Sequence, residues 1–265
     1  TWGVQGRSEV WVGEQSGKTQ DRGEVVPATD CVVACASVAP KGNEKYVALT
    51  FDEGPSGATK QILQVLKEKG VTATFFLSGD AVEASPATAK AIVDAGCEVG
   101  SNSYSDDSLK GQDREAVREQ ITKGTDAIKS ATGVETMLLR APYAAFDEQN
   151  WIDAMDLVSA VVSWNIDSGD WLLNGADEQV STVLDSVTPG NIVLLTDRDE
   201  CAEQTLEALP QIIDGLIADG YKIVTLSDLV KTDTSLSKKL TSLTKVTMPK
   251  DAVFPQLAED DDTTE

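Results

Sequence analysis

From residue 45 onward the apolar residues follow two rhythms in turn. Short, mostly apolar runs stand at 46–51 (YVALTF), 72–77 (TATFFL), 159–166, 191–196 (NIVLLT) and 221–226, with weaker strand-like stretches at 97–100 and 135–140. Runs this short predict strands buried on both faces of a parallel sheet. Between them apolar residues recur every three or four positions. Ile62, Leu63 and Leu66 share one face of a stretch that follows Ser56 and that Gly70 stops. Ser85-Pro86 supplies a helix start, Ser as cap and Pro in the first turn, and that helix runs to Gly96. Further amphipathic stretches follow at 113–132, ended by Gly133, at 149–157, at 177–187, ended by Pro189-Gly190, and at 203–218, ended by Gly220. Ser227 then caps a last short helix.

This alternation predicts an α/β fold, a distorted (β/α) barrel of about seven parallel strands over residues 44–230. An open doubly wound sheet is the alternative. No G-x-G-x-x-G and no Walker A motif follows the first strand, so nucleotide binding on that sheet lacks support. Residues 1–43, with strand-like runs at 10–12 and 31–38 between turn signals, read as an extended N-terminal arm packed on the barrel. Residues 231–265 turn to Ser, Thr and Lys and close on Glu259-Asp260-Asp261-Asp262, a solvated acidic tail.

Composition adds exclusions. The chain has 265 residues, 41% hydrophobic and 25% charged, enough for an ordinary core. No apolar run reaches the roughly 18–20 residues of a membrane span. The first residue is Thr1, and no basic and apolar leader follows it, which reads as a mature or trimmed form. Forty-four acids against 22 bases leave a net charge of −22, which disfavours nucleic acid and anionic membranes as partners. There is no histidine, so triads, metal sites and general acids built on imidazole are excluded. Cys31, Cys35, Cys97 and Cys201 lack the spacing of a zinc site; three disulfide pairings and buried free thiols all fit them.

Candidate chemistry sits where barrel strands end. The strand mouths deliver Asp52-Glu53-Gly54-Pro55, Asn102-Ser103-Tyr104-Ser105-Asp106-Asp107, Arg140-Ala141-Pro142-Tyr143, Asp167-Ser168-Gly169-Asp170-Trp171 and Thr196-Asp197-Arg198-Asp199. Any one acid there reads as turn chemistry; five mouths together argue for a site. Asp52, Glu53, Asp106, Asp167, Asp170 and Asp197 would crowd one mouth, with Arg140 as the matched counter-charge. Carboxylates so placed must share a cation or a proton.

These segments, over about residues 45–230, resemble the polysaccharide deacetylase family, the NodB homology domain of carbohydrate esterases. TFDEGP resembles its TFDDGP, EVGSNSYSDDSL its motif with two histidines four apart, RAPY its R-P-P-Y motif, NIDSGDW its D-x-x-D-W motif and IVLLTD its I-V-L-L-H-D motif. The resemblance implies metal-assisted hydrolysis of N-acetyl groups on cell-wall or chitin-like glycans, by a bacterial protein secreted or held at the cell surface. It implies Asp52 as general base and Arg140 as the group orienting it, with Asp167 or Asp170 as the acidic partner. Glu53, Asn102 and Asp106 stand at the metal positions and Thr196 at that of the acid histidine. Tyr143 and Trp171 match groove positions that contact sugar, Tyr104 adds a third aromatic platform, and the Tyr143 backbone N–H matches an oxyanion donor.

The departures set the functional expectation. Both imidazole ligands and the general acid are replaced. The remaining oxygen donors suit Ca²⁺, Mg²⁺ or Mn²⁺ rather than zinc. A threonine has no useful proton to give, and losing an acid catalyst costs typically about 10²–10⁴-fold in rate. The expectation is a catalytically impaired, glycan-binding pseudoenzyme. The alternatives are an active hydrolase of non-peptide carbon–nitrogen bonds using an oxygen-ligated cation, and a structural module acting through the arm and tail.

Overall fold

The computed structural model describes residues 10–14, 32–36, 38–154, 156–158 and 160–234. The expected acidic tail, Cys31 and most of the expected arm lie outside them. The strands are β1 (Val10–Glu14), β2 (Val32–Ala36), β3 (Lys45–Asp52), β4 (Thr74–Leu77), β5 (Glu98–Ser101), β6 (Leu138–Leu139), β7 (Ala160–Val162), β8 (Ile166–Asp167), β9 (Asn191–Thr196) and β10 (Tyr221–Val224). The helices are α1 (Thr59–Lys69), α2 (Gly79–Ala84), α3 (Pro86–Asp94), α4 (Arg114–Thr132), α5 (Glu148–Ala154), α6 (Ala176–Ser186), α7 (Ala202–Ala218) and α8 (Leu226–Thr232). No described helix is long and apolar enough to cross a membrane.

Seven parallel strands follow the order β7-β6-β5-β4-β3-β9-β8. β7 and β8 close the two ends of this path, yet only residues 163–165 separate them in sequence. Four Cα steps reach at most about 14 Å, whereas six strand spacings laid flat span about 29 Å. The sheet must therefore roll up. Among the described residues no ladder joins β7 to β8, so the barrel is distorted and open at that seam. β10 adds to β3 in parallel, and β1 pairs antiparallel with both β2 and β7.

The strand pattern sorts residues into two cores. Val47, Leu49 and Phe51, Phe75 and Leu77, and Val193 and Leu195 pack outward against the helices. The alternate positions Ala48, Phe76 and Ile192 pack inward with Ala160 and Val162, where Leu226, Leu229 and Val230 of α8 join them. A third cluster joins α4 and α5 to β6 and β7 through Val117, Ile121, Leu139, Ala154 and Val161. Thr50 and Asp52 continue the inward row, and Arg140, the largest fully buried side chain, fills the space they face.

Element ends show which local signals held. Asp113 caps α4 by accepting from Ala116 N at 2.9 Å, and left-handed Gly133 ends it. Two helix starts stand as expected and one differs. Ser85 stands at the N-cap of α3 but makes no capping bond. α1 begins at Thr59, after Ser56, whose hydroxyl donates to Asp197 at 2.7 Å and accepts from Ala58 N at 3.0 Å. Thr225, not Ser227, caps α8, while Ser227 donates to the Glu98 carboxylate. The expected strand 159–166 is two strands because Ser163–Asn165 turn the chain across the seam, Asn165 pairing through its backbone and its amide with Ile192 of β9. Cys97 and Cys201 are buried free thiols.

Candidate functional site

Parallel register brings the strand mouths together. Asp52 faces Thr196 on β9 and Phe76 on β4, Leu77 faces Ser101, Ser101 faces Leu139, and Asp167 faces Leu194. The residues just beyond, Glu53, Asn102, Arg140 and Asp197, therefore rise at one end of the barrel. All five described non-glycine residues with positive φ lie in the loops leaving these strands: Glu53, Ser103, Tyr143, Ala144 and Leu173. Backbone strain concentrated in this way is a mark of functional loops.

At the centre is a buried strut. Arg140 Nη1 donates to Asp52 Oδ1 at 2.7 Å and to Thr50 Oγ1 at 2.7 Å; Nε and Nη2 donate to the carbonyls of Val162 and Ser163 at 3.1 and 3.0 Å. Its guanidinium carbon stands 4.2 Å from the Phe76 ring centroid and 5.6 Å from that of Trp164. The arginine thus ties β3 to β7 across the barrel, at the seam. Burial raises the Asp52 carboxyl to about 6 against the pull of Arg140. Asp167 and Asp170, expected as acidic partners of Arg140, hold other groups. Asp167 accepts from Gly169 N at 2.9 Å and from Trp171 Nε1 at 3.2 Å. Asp170 accepts from Thr196 N at 2.7 Å, Thr196 Oγ1 at 2.8 Å and Thr205 Oγ1 at 3.1 Å, and burial raises its carboxyl.

Above the strut a string of side chains crosses the mouth. Tyr143 donates its hydroxyl to Asp106 Oδ2 at 2.6 Å. Arg198 Nη2 reaches the same oxygen at 3.4 Å, and Arg198 Nε pairs with Glu53. The string joins the loops after β6, β5, β9 and β3. The Asp106 bond lifts the Tyr143 phenol to about 12, and burial lifts the Glu53 carboxyl to about 7 despite Arg198. Asn102 is buried beneath, its amide donating to the Arg140 carbonyl at 2.8 Å. Tyr143, Trp171, Leu172 and Leu173 are the exposed apolar residues of the rim. Tyr104 is not brought to it: its hydroxyl bonds Glu83 of α2 at 3.0 Å and its ring faces Lys123 of α4.

Asp197 is also placed differently from expectation. It is buried below the mouth, accepting from Ser56 at 2.7 Å and Thr59 at 2.6 Å, and a side chain on Gly54 would collide with its carboxylate. Burial raises its carboxyl above the ordinary 3.8 against those two bonds. The native state then holds a proton that the unfolded chain has released, so this group's contribution to stability falls as the pH rises above about 4. Urea melts over a pH series should show wild type gaining on Asp197→Asn as the medium becomes more acid. A gap that instead widens toward neutral pH would refute this placement.

Sequence reasoning missed Arg198 as a site residue and Ser56 and Thr59 as supports. A lone arginine inside the acidic TDRDE segment was the available signal for the first.

A family model described as polysaccharide deacetylase matches residues 39–158. A peptidoglycan-N-acetylglucosamine deacetylase of Bacillus cereus is 31% identical over 217 residues, which cover 81% of this chain and 79% of that protein. The chain belongs to the polysaccharide deacetylase family. A bifunctional xylanase/deacetylase of Pseudobutyrivibrio xylanivorans is 38% identical over 71% of this chain, and the match spans only 31% of that protein. Among solved structures, a CE4 family pseudoenzyme from Bacillus anthracis aligns with a TM-score of 0.67 at 32% identity, over 73% of this chain and 69% of that one. A mutant of that pseudoenzyme with restored enzymatic activity aligns equally well, with a TM-score of 0.67 at 33% identity, over 73% and 72%.

The residues that the sequence resemblance sets at the family's metal positions do not fit zinc. Asn102 and Asp106 offer oxygens in place of imidazole nitrogens, Glu53 offers another, the Asn102 amide is bonded to Arg140, and both carboxylates are paired with Arg198. Among the described residues no three carboxylate or thiol side chains gather closely enough to hold a metal ion.

Proposed function

We propose that this deacetylase-family chain binds an N-acetylated amino-sugar glycan of the bacterial cell envelope and does not hydrolyse it at a family enzyme's rate. Thr196 carries the argument. It stands where the family has its acid histidine, and its hydroxyl proton is committed to Asp170 at 2.8 Å, so the leaving amine has no proton donor at that position. Asp52, the kept general base, is tied to Arg140. The groove itself has its parts: Tyr143 and Trp171 are exposed on the loops after β6 and β8, suited to the apolar faces of a pyranose. A net charge of −22 favours a neutral or cationic glycan over nucleic acid. Secretion or surface attachment follows from such a ligand, and the named relatives are bacterial proteins, one of them a peptidoglycan-N-acetylglucosamine deacetylase.

Titration calorimetry with N-acetylglucosamine oligomers tests this reading. Wild type should bind, Trp171→Ala and Tyr143→Ala should each bind roughly fivefold to tenfold more weakly, and acetate release should stay at background. Brisk acetate release, or affinity indifferent to both substitutions, would overturn it.

A further inference from the structure

We infer that Arg198 is the resident cation of this site: its guanidinium bridges the carboxylates at two of the family's metal positions and stands in for an ion. The inference rests on the glycan-binding reading and deepens it, because it states what keeps the groove in shape when the family's metal ligands are lost.

Residues Glu53 and Asp106 follow β3 and β5, and their carboxyl groups meet over the same mouth. Two carboxylates that converge repel unless a proton or a cation lies between them. Arg198, from the loop after β9, supplies that cation with separate nitrogens, Nε to Glu53 and Nη2 to Asp106 Oδ2 at 3.4 Å. A planar fork with donors on two edges can serve both at once, and a guanidinium keeps its charge at any physiological pH. Glu53 is one methylene longer than the aspartate of the family motif, and its carboxylate spans from the β3 mouth to that of β9. Tyr143 adds a neutral donor to the same Asp106 oxygen at 2.6 Å, which fixes that carboxylate for the arginine. An exchangeable ion has been replaced by a covalently tethered one. The glycan site therefore needs no metal, and an ion offered from solution finds the carboxylates taken.

Removing the guanidinium should expose an oxygen-donor site. The full chain and its Arg198→Ala variant are equilibrated with Mn²⁺ or Ca²⁺, after circular dichroism confirms the fold. Bound ion is counted by elemental analysis and calorimetry. Wild type should show no saturable uptake, and Arg198→Ala should gain one site at least about tenfold tighter than any residual wild-type binding. Adding Glu53→Gln should abolish it again, and Arg198→Lys, which keeps the charge, should stay metal-free. If Arg198→Ala does not fold, Arg198→Gln takes its place with the same expectations. Equal uptake by wild type and variant overturns the inference, and so does a folded, neutralised variant that takes up no ion. Oligomer binding by wild type in chelator separates the two readings. No oligomer binding with or without chelator, with Arg198 still excluding ions, would sink the glycan reading alone; saturable Mn²⁺ uptake or chelator-sensitive oligomer binding in a glycan-binding wild type would sink this inference alone.

Discussion

Arg140→Met should cost about 3–5 kcal/mol of folding stability, the range for breaking a buried ion pair by removing one partner. For a domain of this size that lowers Tm by about 6–20 °C. The deletion leaves four acceptors without their donor inside the barrel: Asp52, Thr50 and the carbonyls of Val162 and Ser163. It also removes the stack between Phe76 and Trp164. Those carbonyls lie where the sheet fails to close, so the arginine does there what a ladder does elsewhere. The double variant with Asp52→Asn should recover part of the loss, since the buried negative charge goes with it, and a double-mutant cycle in urea measures that coupling. A loss below about 1 kcal/mol, the worth of an exposed pair, would show that Arg140 is not a strut.

The same residue marks how far the sequence could be read. Parallel strands buried on both faces announce themselves as short apolar runs, and the loops that follow are fixed by register, so Asp52, Arg140, Asn102 and Thr196 could be assigned to one end of the barrel before any coordinates. What a carboxylate does once there depends on its neighbours in space. Asp167, Asp170 and Asp197 look alike in the sequence. In the fold the first holds the Trp171 indole, the second the hydroxyls of Thr196 and Thr205, and the third those of Ser56 and Thr59. Their partners sit 4 to 141 positions away, and no periodicity encodes such a pairing. Strand lengths were misjudged for a related reason. The stretches 135–140 and 159–166 are apolar for much of their length, but among the described residues only Leu138–Leu139, Ala160–Val162 and Ile166–Asp167 meet a neighbouring strand in register. Apolar content records burial, and pairing is decided by the roll of the sheet.

The largest functional change should come from rebuilding the family's metal site. Glu53→Asp, Asn102→His, Asp106→His and Thr196→His together restore the family motifs, and Arg198→Ala clears the guanidinium that pairs with two of those positions. The five changes together should give one tightly held zinc per chain by elemental analysis, where wild type should hold none. Acetate should then be released from N-acetylglucosamine oligomers, and the release should stop in chelator. The geometry at position 196 favours this: Asp170 already presents a carboxylate oxygen 2.8 Å from the Thr196 hydroxyl, where it can accept an imidazole N–H and hold the ring for proton transfer. A four-change variant that keeps Thr196 should bind zinc but release acetate about 10²–10⁴-fold more slowly, the usual contribution of a general acid. Retaining Arg198 while making the other four changes should weaken zinc uptake, because the guanidinium would then compete with the ion for the shorter carboxylate that Glu53→Asp introduces. Zinc binding without hydrolysis in the full set would place the defect in the groove rather than in the ligands. No zinc in a folded, five-change protein would mean that the strand mouths do not converge as described.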